Sequence, residues 1–443
     1  MQHPLIIIGA GPTGLAAAAQ AQSRGIDTVV LEAGFAAGAS VRDWGHVRLF
    51  SPWSELIDPI AEKLLAGSGW VSPDPTSYPS GDDWVDAYLA PLAEALDSSD
   101  VIEIRYAHRV TGVGRSGRDV LVDAGRDAEP FAVHVDTPAG PERLTASAVI
   151  DASGTWTQPN PLGADGFPAL GESEHADRIF YGMPDLTDDR LRERYAGRHV
   201  VVAGTGASAQ NVLIALARLA TEEPATRVTW LVRRAGASFG GGDNDQLEER
   251  GALGRRAQAV AESEVVTVRT RFRATAIREE ATGIVVESTD GQRVEGVDEI
   301  VVVTGFRPDL SILSEVRLDL DGVLQSPREL APLIDPNVHS CGTVYPHGAK
   351  ELAQPETNFF LAGMKSYGRA PSFLTLTGFE QVRSIVAAIA GDTAAAERVE
   401  LVLPESGVCG GSGQFDQPAA EASGGCCGPV SAELLEIAAP AAR

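Results

Sequence analysis

The chain has 443 residues, 44% hydrophobic and 22% charged, which is enough apolar material for a large buried core spread over two or three domains. Its 36 Lys+Arg against 61 Asp+Glu give a formal net charge of -25, so its surface repels nucleic-acid phosphates and anionic lipid. Four cysteines are too few for a secreted disulfide framework, and the expected setting is a reducing cytoplasm with no nucleic-acid or membrane partner.

The apolar start lacks a charged leader and is interrupted by Gly9, Gly11, Pro12 and Gly14, which argues against an export signal. No stretch reaches the roughly 20 apolar residues of a membrane helix. The opening instead predicts a strand at 4–8, the turn Gly9-Ala10-Gly11-Pro12-Thr13-Gly14, a helix through Ser23, and a strand at 28–31 ending at Glu32. The three glycines suit a tight turn, close approach of a pyrophosphate, and close packing of helix on strand. The helix N-terminus offers amides to the phosphates, and Glu32 stands where an acid accepts from ribose hydroxyls.

A second copy follows: a strand at 198–203, the turn Gly204-Thr205-Gly206-Ala207-Ser208-Ala209, a helix at 211–220, and a strand at 228–232. This strand ends in Arg233-Arg234 instead of an acid. Guanidinium forks there suit a 2′-phosphate and favour NADPH over NADH, although a solvated arginine pair would look the same in sequence. Two such units imply two dinucleotides, and a flavin reduced by a nicotinamide accounts for both. FAD and NADPH are therefore the expected cofactors. Two further buried strands turn on small residues, one at Ser153-Gly154 and one at Thr304-Gly305-Phe306-Arg307-Pro308.

A last strand at 358–361 turns at Gly363, and a helix is expected from about 375 to 390, its positive end directed at the cleft. Beyond Pro404 the composition shifts to Gly, Ser, Ala and Pro, which predicts a disordered tail with at most one short helix at 431–437. The expected architecture is α/β, with two Rossmann-like dinucleotide-binding domains. The Cys-containing tail spans 404–443.

These motifs together resemble the two-dinucleotide flavoprotein superfamily, which includes pyridine-nucleotide disulfide oxidoreductases and flavin-containing monooxygenases. The resemblance implies a discontinuous FAD domain (1–190 and 306–403) with the NADPH domain inserted at 195–305. Residues 40–53, 335–343 and 363–371 look more narrowly like flavin monooxygenases encoded with arsenic-resistance genes. That resemblance implies a monooxygenase acting on a small soft nucleophile, an arsenical or a sulfur compound. Disulfide reductases of the superfamily place a Cys-x4-Cys pair soon after the first ribose acid or a Cys-x2-Cys in the inserted domain, and neither is present. The monooxygenase linker motif survives only as Gly171 and His175, with Phe167 spaced too far away.

The cations expected beside the flavin or the bound NADPH are Arg48, Lys365 and Arg369, with His46 and Trp44 shaping the cleft. Each of these is also compatible with an ordinary ion-pair or packing role. Cys426 and Cys427, adjacent in a chain with so few cysteines, join Cys409 as three thiols on one tail. Soft thiolates suit a metalloid, or a dithiol delivered to the cleft, so a reductase and a metalloid-sequestering FAD protein remain alternatives. Cys341 beside His339 is a further candidate reactive thiol. Substrate identity and oligomeric state are written in no motif, and a homodimer is the working expectation.

Overall fold

A computed structural model describes residues 3–239, 248–281, 283–336, 346–371 and 373–401. Cys341, Cys409, Cys426, Cys427 and the 404–443 tail lie outside the described residues. The chain opens with β1 (Leu5–Ile8), the helix Pro12–Ser23 and β2 (Thr28–Leu31), then reaches β3 (Ile102–Arg105) after a mainly helical excursion. An antiparallel meander follows, β4 (Arg109–Arg115), β5 (Phe131–Thr137) and β6 (Gly140–Ala146), before β7 (Ala148–Asp151) returns beside β1.

A second, similar unit contains β8 (Ile179–Tyr181), β9 (His199–Ala203), the helix Ala207–Glu222, β10 (Arg227–Val232), the helix Glu248–Ala261 and β11 (Val266–Thr270). It adds the meander β12 (Ala274–Glu280), β13 (Gly283–Ser288) and β14 (Arg293–Val297), and then β15 (Glu299–Val302). The chain finally gives β16 (Phe359–Leu361) and the helix Thr375–Ile389. The two five-stranded sheets run β16-β7-β1-β2-β3 and β11-β10-β9-β15-β8, every pairing parallel. Because β16 pairs with β7 although the whole second sheet intervenes in sequence, the second unit is inserted into the first, as the sequence leads one to expect.

The composition of the strands explains their position. β1 (LIII), β7 (AVID), β15 (EIVV) and β16 (FFL) are buried along their whole length, the continuous apolar pattern of parallel strands covered on both faces. Each fully buried aliphatic side chain contributes about 1.5–3 kcal/mol. One face of the first sheet packs on the Pro12 and Thr375 helices, and the other packs on the β4–β6 meander around Phe131, Val133 and Phe359. The second sheet repeats this plan, with the Ala207 helix on one face and the β12–β14 meander on the other. The run Ala16–Ala19 in the first helix is wholly buried, and its small side chains let the helix lie close to the sheet.

The helix expected at 211–220 is longer, Ala207–Glu222, because it starts at the glycine turn itself, with Gly206 as its N-cap. Both meanders are absent from the sequence reading. Their strands mix Arg, Glu, Gly and Pro with few apolar residues (RVTGVGR, GPERLTA), so the hydrophobic signal is weak before the partner strands are known. Two antiparallel segments join the units where Pro159 pairs with Phe306. There Asn160 N donates to Gly305 O (2.9 Å) and Arg307 N donates to Gln158 O (2.9 Å).

Candidate cofactor sites and cleft

Both glycine turns stand at the carboxyl ends of central strands, where a sheet of this winding binds its ligand. Gly9 has φ +100, and a Cβ there would stand 2.9 Å from Ala152 O, so the turn presses against the end of β7. Gly204 makes the same contact in the second unit, with φ +135 and a Cβ position 2.3 Å from Val303 O. At Gly14 a Cβ would fall 1.9 Å from Gly9 O, so the first helix approaches as only glycine permits. Ala209 holds the corresponding place in the second unit and is fully buried.

The middle glycines behave differently. A Cβ at Gly11 or Gly206 would meet nothing within 4 Å, and each residue is the N-cap of its helix with no side-chain cap bond. Each helix thus ends in uncapped amides facing open space, a cradle that fits a pyrophosphate. Glu32 lies beside the first cradle: Oε2 accepts from Ala10 N and Oε1 from Gly34 N, both at 2.7 Å. A carboxylate has about four acceptor directions, so two remain for ribose hydroxyls. In the second unit Leu231 pairs with Ala203, and this register sets Arg233-Arg234 alongside the Gly204 turn. Desolvation and the neighbouring Arg234 charge pull the Arg233 guanidinium below its ordinary value. These residues fit FAD at the first turn and a nicotinamide dinucleotide at the second.

Ser153 and Lys365 are brought together by a buried acid. Lys365 Nζ donates to Asp151 Oδ2 (2.6 Å) and to Ser153 Oγ (3.0 Å), while Ser153 Oγ donates to Asp151 Oδ1 (2.6 Å). Lys365 is 1% exposed and Asp151 0%. Of the roles that the sequence allows Lys365, the structure shows the buried ion pair. Lys365 is spent in neutralising Asp151, and it fastens the turn after β7 to the turn after β16. Gly154 follows at a position whose Cβ would meet no atom within 4 Å. Gly363 packs on Thr13 of the first helix, and its N donates to Gln381 Oε1 (2.7 Å). Gln381 also donates from Nε2 to Ser366 Oγ (2.9 Å), so the Thr375 helix pins this turn from beneath. Gly305 sits in the crossing segment against Asn160.

His46, Arg48 and Trp44 share one loop on the first unit. Arg48 and His46 are exposed, and Arg48 pairs through its backbone with Ser80. Hydrogen bonds from Ser80 and then the Arg48 charge hold Asp83 low, while burial pushes Asp185 up and the hydrogen bonds from Thr187, with His46 nearby, bring it below its ordinary value. Trp44 packs on Gly81. No ion pair among the described residues joins Arg48 or His46 to Lys365. Trp156 at the crossing was not singled out from the sequence. Trp156 Nε1 donates to Asp43 Oδ2 (2.8 Å), and the Trp156 ring leans on Phe306 at a centroid distance of 4.7 Å, with Gly182 against its edge. A tryptophan two residues after Ser153-Gly154 was visible, but Asp43 and Phe306, which hold it, are more than 100 positions away in sequence. Asp151 was likewise visible in the strand, and only the fold reveals Lys365 as its counter-charge.

Residues 6–340 match the family model described as pyridine nucleotide-disulphide oxidoreductase. The chain is 27% identical over 321 residues to ferredoxin-NADP reductase 1 of Cupriavidus necator, covering 71% of this chain and 74% of that protein. It is 25% identical over 279 residues to the FAD-dependent monooxygenase nscC of Neosartorya fischeri, covering 55% of this chain and 62% of that one. In fold it is similar to the bacillithiol disulfide reductase Bdr (YpdA) of Bacillus cereus, with a TM-score of 0.61 at 21% identity, covering 88% of this chain and 99% of that one. No helix among the described residues is long and apolar enough to cross a membrane. With paired nucleotide turns at two parallel sheets and a family match across most of its length, the chain belongs to the pyridine nucleotide-disulphide oxidoreductase family and is a flavin-dependent NAD(P)H oxidoreductase.

Proposed function

We propose that this protein is an NADPH-reduced FAD monooxygenase of the cytoplasm that oxygenates a small soft nucleophile, an arsenical or a sulfur compound. In this reading residues 1–190 with 306–403 hold FAD and 195–305 hold NADPH. The observation that carries it is the absence of cysteine from the described residues flanking the flavin turn: all four cysteines stand at 341, 409, 426 and 427. Among the described residues no thiol is thus positioned there to relay electrons to a disulfide. The similarity to a protein named FAD-dependent monooxygenase points the same way.

Bound FAD supplies hydride acceptance and oxygen activation. The chain's own residues bind, orient and exclude water. The uncapped helix ends at Gly11 and Gly206 hold the pyrophosphates, Glu32 a ribose, and Arg233 with Arg234 the 2′-phosphate. Asp151 and Lys365 fix the two turns that frame the flavin, and Trp44, His46 and Arg48 shape the open side of the cleft. Trp156 and Phe306 cover the crossing with apolar surface and limit water entry.

Anaerobic titration of the FAD-loaded protein with NADPH tests this reading. One equivalent per flavin, followed by oxygen-dependent reoxidation that speeds up with a soft nucleophile, is the expected result. Uptake of a second equivalent, lost in a Cys426→Ala/Cys427→Ala variant, would replace it with a reductase working through the tail dithiol. A flavin that NADPH does not bleach would replace it with a metalloid-sequestering protein.

A further inference from the structure

Where the two units meet, the loop at 160–166, Thr304 and three arginines enclose a cavity of about 320 Å³. The arginines come from three places in the chain: Arg233 from the end of β10, Arg307 from the crossing segment, and Arg369 from the turn after β16. Asp165 is the one carboxylate among the lining residues. Arg307 is aimed by neutral partners, its Nε donating to Asn160 Oδ1 (2.7 Å) and its Nη2 to Gly166 O (3.2 Å). Both contacts orient the guanidinium and neither cancels its charge. Arg369 is held by its backbone, whose N donates to Leu324 O (2.7 Å), next to Gly368 with φ +60. Its side chain has no carboxylate partner among the described residues.

This arrangement is unusual for such an acidic chain. With 61 acids and 36 Lys+Arg, most arginines can find a counter-charge, as the pairs Arg115 with Glu356 and Arg383 with Glu380 show. Here two guanidiniums are near enough that, after burial, the Arg369 charge is what pulls Arg307 below its ordinary value. Both remain protonated, because arginine is not deprotonated in proteins. Like charges gathered in a cleft of a negatively charged molecule focus the field on a mobile anion, and planar forks suit oxyanions.

We propose that Arg307, Arg369 and Arg233 form a binding site for a compact phosphate-type oxyanion at the junction of the two units. The site unites a side chain from the nicotinamide-binding unit with one from the returning flavin half, so a bound oxyanion bridges the two. The oxyanion can come from a phosphate of the nicotinamide cofactor or from a separate oxyanionic ligand. The proposal rests on the flavoenzyme reading only for that choice of source.

The test uses the FAD-loaded full-length protein and inorganic phosphate as the probe, at constant ionic strength, read by intrinsic fluorescence and thermal shift. Saturable binding that weakens about tenfold in Arg307→Ala and in Arg369→Ala is expected, the loss of charge-assisted hydrogen bonds. Arg369→Lys, which keeps the charge without the fork, should fall between, and retained flavin content and melting temperature show that each variant is folded. Competition between phosphate and NADPH for the wild-type protein assigns the site to the cofactor, and simultaneous binding assigns it to a separate ligand. Phosphate binding that is not saturable, or that the substitutions leave unchanged, overturns the proposal. Because the readout needs no turnover, a protein that fails to oxygenate any nucleophile can still pass this test.

Discussion

Lys365 Nζ lies 2.6 Å from Asp151 Oδ2 with both side chains buried, an ion pair that links residues 214 positions apart at the carboxyl ends of β16 and β7. Two charges withdrawn from water stay stable only while each has the other. Lys365→Met leaves Asp151 buried without a counter-charge and should cost about 3–5 kcal/mol in denaturant unfolding, with loss of retained FAD. Lys365→Met combined with Asp151→Asn should cost clearly less than the single change. A single variant as stable as the wild type would show that the pair does not hold these turns.

The glycines of the first turn separate fold from cofactor. Gly14→Ala sets a Cβ within 1.9 Å of Gly9 O, so the helix must move off the strand and the melting temperature should drop whether or not FAD is added. Gly11→Ala meets no protein atom. It should leave the apoprotein as stable as before and weaken FAD retention, measured by equilibrium dialysis. Equal effects on apoprotein stability would contradict the assignment of the open space at Gly11 to the pyrophosphate.

Arg233 and Arg234 bear on cofactor choice. Replacing both by Ser should reduce kcat/KM for NADPH on the order of 100-fold, through two lost charge-assisted contacts, while NADH is used as before. Steady-state or stopped-flow reduction of the flavin by each nicotinamide measures this. A parallel loss with NADH would place the arginines elsewhere than at the 2′-phosphate.

Acid stability should depend on Glu356, which is 1% exposed and receives Arg115 Nε at 2.7 Å and Arg126 Nη2 at 2.7 Å. Burial pushes its carboxyl up, but the hydrogen bonds from Arg115, Arg126 and the Arg317 amide outweigh burial and leave it below the ordinary 4.5. A carboxyl with a lowered folded value adds stability above its unfolded value, and that stability is lost as pH falls through the folded one. Denaturant unfolding followed from neutral pH to below 4.5 should therefore steepen in the wild type and flatten in Glu356→Gln. The variant should also be less stable at neutral pH, since two buried guanidiniums lose their anion.

Much of this molecule was legible in the sequence because its decisive signals are local. Gly9 to Gly14 with Glu32, and Gly204 to Ala209 with Arg233-Arg234, each sit within one strand-turn-helix-strand unit, and backbone sterics require Gly9, Gly14 and Gly204. The inserted arrangement was implied by the resemblance to the two-dinucleotide flavoproteins. The tertiary structure decided the rest. It paired Lys365 with Asp151, seated Trp156 between Asp43 and Phe306, and gathered Arg233, Arg307 and Arg369 around one cavity. A charge has no preferred partner along the chain. Which acid neutralises a lysine, and which arginines line one cavity, is fixed only when folding chooses the distances and removes the water between them.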